Sequence, residues 1–118
     1  MKADVVKDTI RHLRKELHYA VGVSKQYDAE VDDECLAVVR LGTAQVVAAR
    51  EVDHAAICVI VYASRPDRAE IMAGEVSEAM GRLTDEPRFY ACEEYSAFAN
   101  IDSAGKPTFR LNYRITYV

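Results

Sequence analysis

Residues 107–118, PTFRLNYRITYV, contain the clearest pattern in this chain, and that pattern decides the fold class. Apolar and aromatic residues occupy every second position, at Phe109, Leu111, Tyr113, Ile115 and Tyr117. Polar residues fill the positions between them, at Thr108, Arg110, Asn112, Arg114 and Thr116. Successive side chains of a strand point to opposite faces, so the stretch predicts a strand with one buried and one polar face.

Four further segments have the composition of strands. Residues 52–63 are apolar at odd and even positions alike, which predicts a central strand covered on both faces. Residues 36–41 and 88–95 fit shorter strands, and residues 44–49 fit a strand or the arm of a hairpin. Residues 100–106 carry the Asp, Ser and Gly of a turn. Residues 19–23 fit either a first strand or the end of the preceding helix, and both alternatives stay open.

Two segments have the periodicity of helices. Residues 3–18 predict an amphipathic helix whose apolar stripe contains Val6, Ile10, Leu13 and Leu17. A second helix is predicted after Ser64 as the N-cap, with Pro66 in its first turn and Asp67 at the capping-box position. Its apolar stripe contains Ala69, Met72, Val76, Ala79, Met80 and Leu83. Gly74 and Gly81 would each weaken this helix, which predicts a close approach to the sheet or to another subunit.

These elements predict an α+β fold over residues 1–118, as a single domain. The order is α-β-β-β-α-β-β, with two helices packed on one face of a mainly antiparallel sheet of four to five strands. A chain of 118 residues is long enough for one modest core and too short for two.

Composition excludes several classes of function. Half of the residues are hydrophobic and 29% are charged, which is typical of a soluble globular domain. The net charge of −4 argues against a general nucleic-acid binder. The longest apolar run, residues 55–63, is too short for a membrane helix, and the charged N-terminus lacks a signal-peptide core. We therefore expect a cytoplasmic protein.

No motif for catalysis, a metal or a cofactor is present, so we expect neither an enzyme nor a bound cofactor. Cys35, Cys58 and Cys92 are odd in number and widely spaced, which favours reduced structural thiols. His12 and Glu16 have the spacing for a shared metal, although an exposed helical ion pair is the preferred interpretation.

His54 and Cys58 share a strand face but are roughly 13 Å apart, too far for one metal ion. Glu93 and Glu94 are strand neighbours that point to opposite faces, which excludes a carboxylate pair. The acidic run at residues 28–34 is expected to be a solvated surface loop.

The polar face of the last strand is the best candidate for contact with a partner. It carries Arg110 and Arg114, and Arg88 is expected on an adjacent strand. Tyr90, Tyr95 and Phe98 lie nearby in sequence, and arginine and aromatic residues are the types enriched at protein interfaces. The alternative is an ordinary solvated sheet face. Because both helices are expected on one side, the other side of the sheet must be solvated or covered by a partner.

Three local stretches resemble a known family. They are VVRLG at residues 38–42, VIVYASR at residues 59–65 running into the second helix, and the ending from NID at residues 100–102 through GKP at 105–107 into the last strand. On these, and on the order of the elements, the chain resembles the tail-terminator (tail-completion, minor tail) proteins of long-tailed bacteriophages and prophages. The acidic run at residues 28–34 departs from that family.

The resemblance implies an assembly role without catalysis. Such proteins form a hexameric ring that caps the tail tube, stops its polymerisation and meets the head connector. The implied partners are other copies of the chain, the tail-tube protein and the connector, with no membrane and no specific nucleic acid. The implied location is the host cytoplasm during assembly and then the head–tail junction of the virion.

Two alternatives remain open. One is another phage neck or head-completion protein. The other is a small α+β enzyme or ligand-binding domain, with a pocket between the second helix and the sheet near Tyr62, Cys92 and His54.

Overall fold

The computed structural model describes residues 4–23, 34–42 and 53–118. Within these ranges the elements follow the predicted order and confirm the α+β class. They are α1 (Val5–Glu16), β1 (Ala20–Gly22), β2 (Cys35–Leu41), β3 (Asp53–Tyr62), α2 (Pro66–Gly81), a 3-10 turn (Leu83–Asp85), β4 (Phe89–Ile101) and β5 (Pro107–Tyr117).

The strands form one mixed sheet in the order β1-β2-β3-β5-β4. Three of the neighbouring pairs are antiparallel, and β1 runs parallel to β2. The undecided segment at residues 19–23 therefore contains a short strand. The predictions for residues 44–49 and for most of the acidic run, residues 28–33, fall outside the described residues.

The main core lies between the helices and one face of the sheet. Alternate residues of β3 and β5 enter it, as the period of two predicts. From β5 the buried residues are Leu111, Tyr113, Ile115 and Tyr117, while Phe109 is half-buried against the core. The other face of β3 is also apolar and buried at Cys58 and Ile60, which confirms the two-sided burial of this central strand.

Helix α1 buries a slightly different stripe from the predicted one. Asp4 caps the helix by accepting the Lys7 N–H at 3.1 Å. The buried residues are Val5, Thr9, Ile10, His12 and Leu13, whereas Val6 and Leu17 are only half-buried. Thr9 can be buried because its hydroxyl donates to the Val5 carbonyl at 2.6 Å.

Helix α2 begins one residue later than predicted. The N-cap is Arg65, in an extended conformation with no side-chain cap, so the prediction of Ser64 was wrong. Pro66 opens the helix as expected, because its missing N–H is not needed there. The predicted apolar stripe is buried, from Ala69 to Met80. Neither α1 nor α2, the helices of the described ranges, is long and apolar enough to cross a membrane.

The two glycines of α2 do not mark a close approach to the sheet. A Cβ atom placed on Gly74 or Gly81 would meet nothing within 4 Å, and both residues are exposed. The prediction of close packing against the sheet was therefore wrong.

Strand β4 extends six residues beyond the predicted end at Tyr95, to Ile101. It forms a long hairpin with β5 whose distal half projects past the helices, so that β4 is exposed from Glu93 to Ile101. This arm agrees with an elongated molecule of 47 × 26 × 23 Å. The turn between the strands is held by Asp102, whose side chain accepts the N–H groups of Ala104 and Lys106.

Candidate interface on the open sheet face

The sheet face opposite the helices is called the open face here. Strand register assigns residues to it, because directly paired residues of neighbouring strands point to the same side. The open face contains Ala37 and Val39 of β2, His54 to Tyr62 at even positions of β3, Thr108 to Thr116 at even positions of β5, and Glu93, Ser96, Phe98 and Asn100 of β4.

The β2–β3 half of the open face is apolar. Ala37, Cys58 and Ile60 form a small buried cluster, with Val39 and Tyr62 packed against it. Burial raises the pKa of the Cys58 thiol, and the charge of Arg110 and its hydrogen bond to the thiol oppose this rise. Cys58 is therefore a protonated structural thiol at neutral pH.

Arg110 lies at the boundary between the apolar half of the open face and its polar half. Its register partners are Ile60 on β3 and Phe98 on β4, and its side chain is half-buried. It forms no ion pair with any of the residues that the structure describes. Its guanidinium is thus a charge held at the boundary of an apolar patch.

Arg114 lies in a shallow depression at the other end of the open face. The depression has a volume of about 430 Å³ and is lined by His54, Ala55, Ala56, Glu93, Tyr95 and Arg114. Arg114 is exposed and pairs in register with Glu93, yet it makes no ion pair within the described part of the chain. Tyr95 is 57% exposed and sits where β4 bulges between Glu94 and Ser96. The bulge brings together two of the predicted interface residues, Arg114 and Tyr95.

Two further residues predicted at the interface, Arg88 and Tyr90, lie at the N-terminal end of β4. Tyr90 is 63% exposed, at a second irregularity between Phe89 and Ala91. Arg88 precedes β4 with a φ of +78°, and its carbonyl accepts the Val118 N–H at 2.9 Å. Arg88 was predicted on a strand adjacent to the last strand, and it lies just outside one, because β4 begins at Phe89. Its position opposite Val118 is eight residues of β5, roughly 27 Å, from that of Arg110. Arg88 instead lines a cleft against α1 with Arg11 and Lys15.

The pocket considered near Tyr62, Cys92 and His54 does not exist as one site. His54 and Tyr62 stand at opposite ends of β3 on the open face. Cys92 pairs with Ile115 and therefore faces the helices. Its pKa is raised to about 12 by burial and by the nearby charges of Glu94 and Glu93, which makes it a poor nucleophile.

Glu93 and Glu94 point to opposite faces, as predicted. Glu93 is opposite Arg114 on the open face, and Glu94 accepts the Tyr113 hydroxyl at 2.8 Å on the helix side. They cannot act as a carboxylate pair.

A buried histidine was the main polar feature that the sequence did not reveal. His12 is 2% exposed and contacts Glu86 rather than Glu16, so the prediction of an exposed pair was wrong. Its Nε2 donates to the Ala79 carbonyl at 2.7 Å, and its Nδ1 lies 3.1 Å from Glu86 Oε1. Lys15 also binds Glu86, and the hydrogen bonds of Lys15 and His12 lower the pKa of this carboxyl. Glu16 pairs with Arg82 instead.

Across residues 4–23, 34–42 and 53–118, no three His, Cys, Asp or Glu side chains are placed to hold a metal ion.

The polar residues of the open face are suited to recognition by contact and charge. The chain matches no protein-family profile and no curated protein sequence at a significant level.

Proposed function

We propose that this protein is the tail terminator of a long-tailed phage or prophage. In this role it forms a hexameric ring on the end of the tail tube, stops polymerisation of the tube and joins it to the head connector. One observation carries the proposal beyond the sequence resemblance. The open face presents two arginines without ion pairs among the described residues, next to exposed aromatic side chains.

This combination of arginine and aromatic side chains is more typical of a surface that a protein partner covers than of one that stays in contact with water. Arginine and aromatic residues are enriched at interfaces, because they bury a large area and keep a polar group for hydrogen bonds. An arginine that forms no ion pair within its own subunit can pair with a carboxylate of another subunit without first breaking one. Arg114 and Tyr95 are the central residues of this proposed contact.

The test is deletion of the gene from the phage or prophage that encodes the chain. We expect headless tails whose tubes vary in length and exceed the normal length, seen by negative-stain electron microscopy. Complementation with the unchanged gene should restore tails of uniform length joined to heads, and six-fold rings should be visible at the tube end.

Complementation with Arg114→Glu should fail while the protein remains folded. An exposed charge contributes only about 0–1 kcal/mol to folding, so the thermal midpoint should hardly move. The matched control is Arg65→Glu, another exposed arginine, at the start of α2 and away from the open face. Normal tails after gene deletion would contradict the proposed function. Full rescue by Arg114→Glu would contradict the proposed contact through Arg114.

A further inference from the structure

His12 has a hydrogen-bond acceptor opposite each of its two ring nitrogens. Its Nε2 lies 2.7 Å from the Ala79 carbonyl oxygen, and its Nδ1 lies 3.1 Å from Oε1 of Glu86. A carbonyl oxygen and an ionised carboxylate can only accept hydrogen bonds, whereas a neutral imidazole carries a single N–H donor. A ring that donates at both nitrogens is therefore an imidazolium, unless Glu86 supplies the proton of the second contact.

Glu86 is poorly suited to carry that proton. Its Oε1 also accepts a hydrogen bond from Lys15, whose ammonium group favours the ionised carboxylate. The hydrogen bond from Lys15, followed by that from His12, lowers the pKa of the Glu86 carboxyl below its ordinary value. Glu86 is therefore ionised at neutral pH and can only accept.

The position of the ring also favours a positive charge. The Ala79 carbonyl belongs to the last turn of α2, where the helix dipole has its negative end. His12 is 2% exposed, so the loss of water opposes a charge on the ring. Both of its N–H groups would nevertheless have acceptors, and a buried charge is retained when it is paired and hydrogen-bonded in this way.

The other charged groups around the ring offset one another. They form three ion pairs, which are Arg11 with Asp8, Arg82 with Glu16 and Lys15 with Glu86. Asp85 adds a negative charge beside Lys15. Arg88 lines the same cleft as His12, but its side chain is exposed and water screens its charge. Glu86, in direct contact with the ring, is thus the charge that decides the state of His12.

We propose that His12, Glu86 and the Ala79 carbonyl form a proton-dependent clamp between α1 and the end of α2, which closes when His12 carries a proton on both ring nitrogens. Loss of the Nδ1 proton sets a nitrogen lone pair against a carboxylate oxygen, so the contact with Glu86 opens. The folded chain therefore holds this proton more firmly than the unfolded chain, in which water surrounds the ring. The clamp does not depend on the proposed tail function, because it concerns the fold of the isolated chain.

The clamp should make the protein less stable as the pH rises through neutrality. A proton that the folded state holds more firmly contributes stability that is fully present below pH about 6.5, where an unperturbed histidine titrates, and that is lost above it. Through this group the equilibrium constant for folding should fall by up to about tenfold per pH unit, until the folded chain also releases the proton.

Urea denaturation between pH about 5.5 and about 8.5 tests the clamp in the wild-type chain and in Glu86→Gln. A glutamine amide can donate to a neutral ring or accept from a charged one, so this variant should remove the part of the slope that comes from His12. The matched control is Glu16→Gln, which removes a carboxylate one turn further along α1 that pairs with Arg82, and it should keep the slope. The other histidines are the same in all three proteins, so their contributions cancel.

A measurement on the unchanged chain covers the case in which Glu86→Gln does not fold. Nitrogen-15 NMR distinguishes ring nitrogens with and without a proton, and we expect His12 to keep both protons to a higher pH than the exposed His18. Equal slopes for the wild-type chain and Glu86→Gln overturn the proposal. So does a His12 ring that loses its second proton at the same pH as His18 or at a lower one.

Discussion

At the scale of single residues, His12 links three parts of the chain. It lies on α1, its Nε2 donates to a carbonyl in the last turn of α2, and its Nδ1 contacts Glu86 beyond the 3-10 turn. The end of a helix has unsatisfied carbonyls and a partial negative charge, so a histidine donor there is favourable. His12 therefore fixes how α1 docks against α2.

Replacement of His12 by alanine should lower the free energy of unfolding by about 2–4 kcal/mol, because it leaves a cavity and removes a buried hydrogen bond. Urea denaturation followed by circular dichroism measures the change. The control is His18→Ala, at an exposed histidine just after α1, which should change stability by less than about 0.5 kcal/mol. Equal effects of the two substitutions would mean that His12 contributes no more than an exposed residue.

The cysteines should be unreactive in the folded protein. Cys35 and Cys58 are buried, and the pKa of Cys92 is raised to about 12. A thiol-specific chromogenic reagent at pH about 8 should react slowly with the native chain, because little thiolate is present. It should titrate all three thiols once guanidinium unfolds the chain. Rapid reaction of one thiol in the native protein would contradict the structural role given to the cysteines.

At the scale of secondary-structure elements, two glycines differ in backbone conformation, and the effect of the same substitution at each can be compared. Gly74 lies inside α2 with open space around it, whereas Gly105 lies in the β4–β5 turn with a φ of +80°. Glycine weakens a helix interior but suits a left-handed turn residue, which other residues adopt only at a cost.

The same substitution at these two positions should therefore act in opposite directions. Gly74→Ala should raise the free energy of unfolding by about 0.5–1 kcal/mol. Gly105→Ala should lower it by about 1–2 kcal/mol. Thermal and urea unfolding of both variants measure the difference. Destabilisation by Gly74→Ala would indicate that this exposed helix face needs glycine for a contact outside the described residues.

At the scale of the whole molecule, the core sets an upper pH limit for the fold. Tyr113 is 2% exposed and donates its hydroxyl to Glu94. Burial, followed by this hydrogen bond, raises the pKa of Tyr113 above its ordinary value of about 10. The folded state therefore keeps the phenol neutral at a pH at which the unfolded state already ionises.

This difference should make the protein less stable in alkali. The stability that the neutral phenol contributes is fully present below pH about 10, and above it the free energy of unfolding should fall by about 1.4 kcal/mol per pH unit for this group. Tyr113→Phe should remove that part of the slope. Tyr90→Phe, at an exposed tyrosine, should not. Urea denaturation between pH about 8 and about 11 measures both slopes, and identical slopes would show that Tyr113 does not set the limit.

The sequence was sufficient for most of the architecture, because local periodicity reports burial. The alternation in β5, the two apolar faces of β3 and the stripe of α2 all predicted which residues enter the core. The buried stripe of α1 was predicted only in part, because Thr9 and His12 are polar residues whose burial depends on hydrogen-bond partners. Arg110 and Arg114 were recognisable from the period of two alone as positions on the face of β5 opposite the main core.

The sequence could not supply the order of the strands or the contacts between distant residues. Strand order decides that β4 is an edge of the sheet that residues 4–23, 34–42 and 53–118 form. The contact of His12 with Glu86 joins residues 74 positions apart. The physical reason is that periodicity describes one element facing the core, whereas pairing, docking and exposed edges depend on which elements become neighbours in three dimensions.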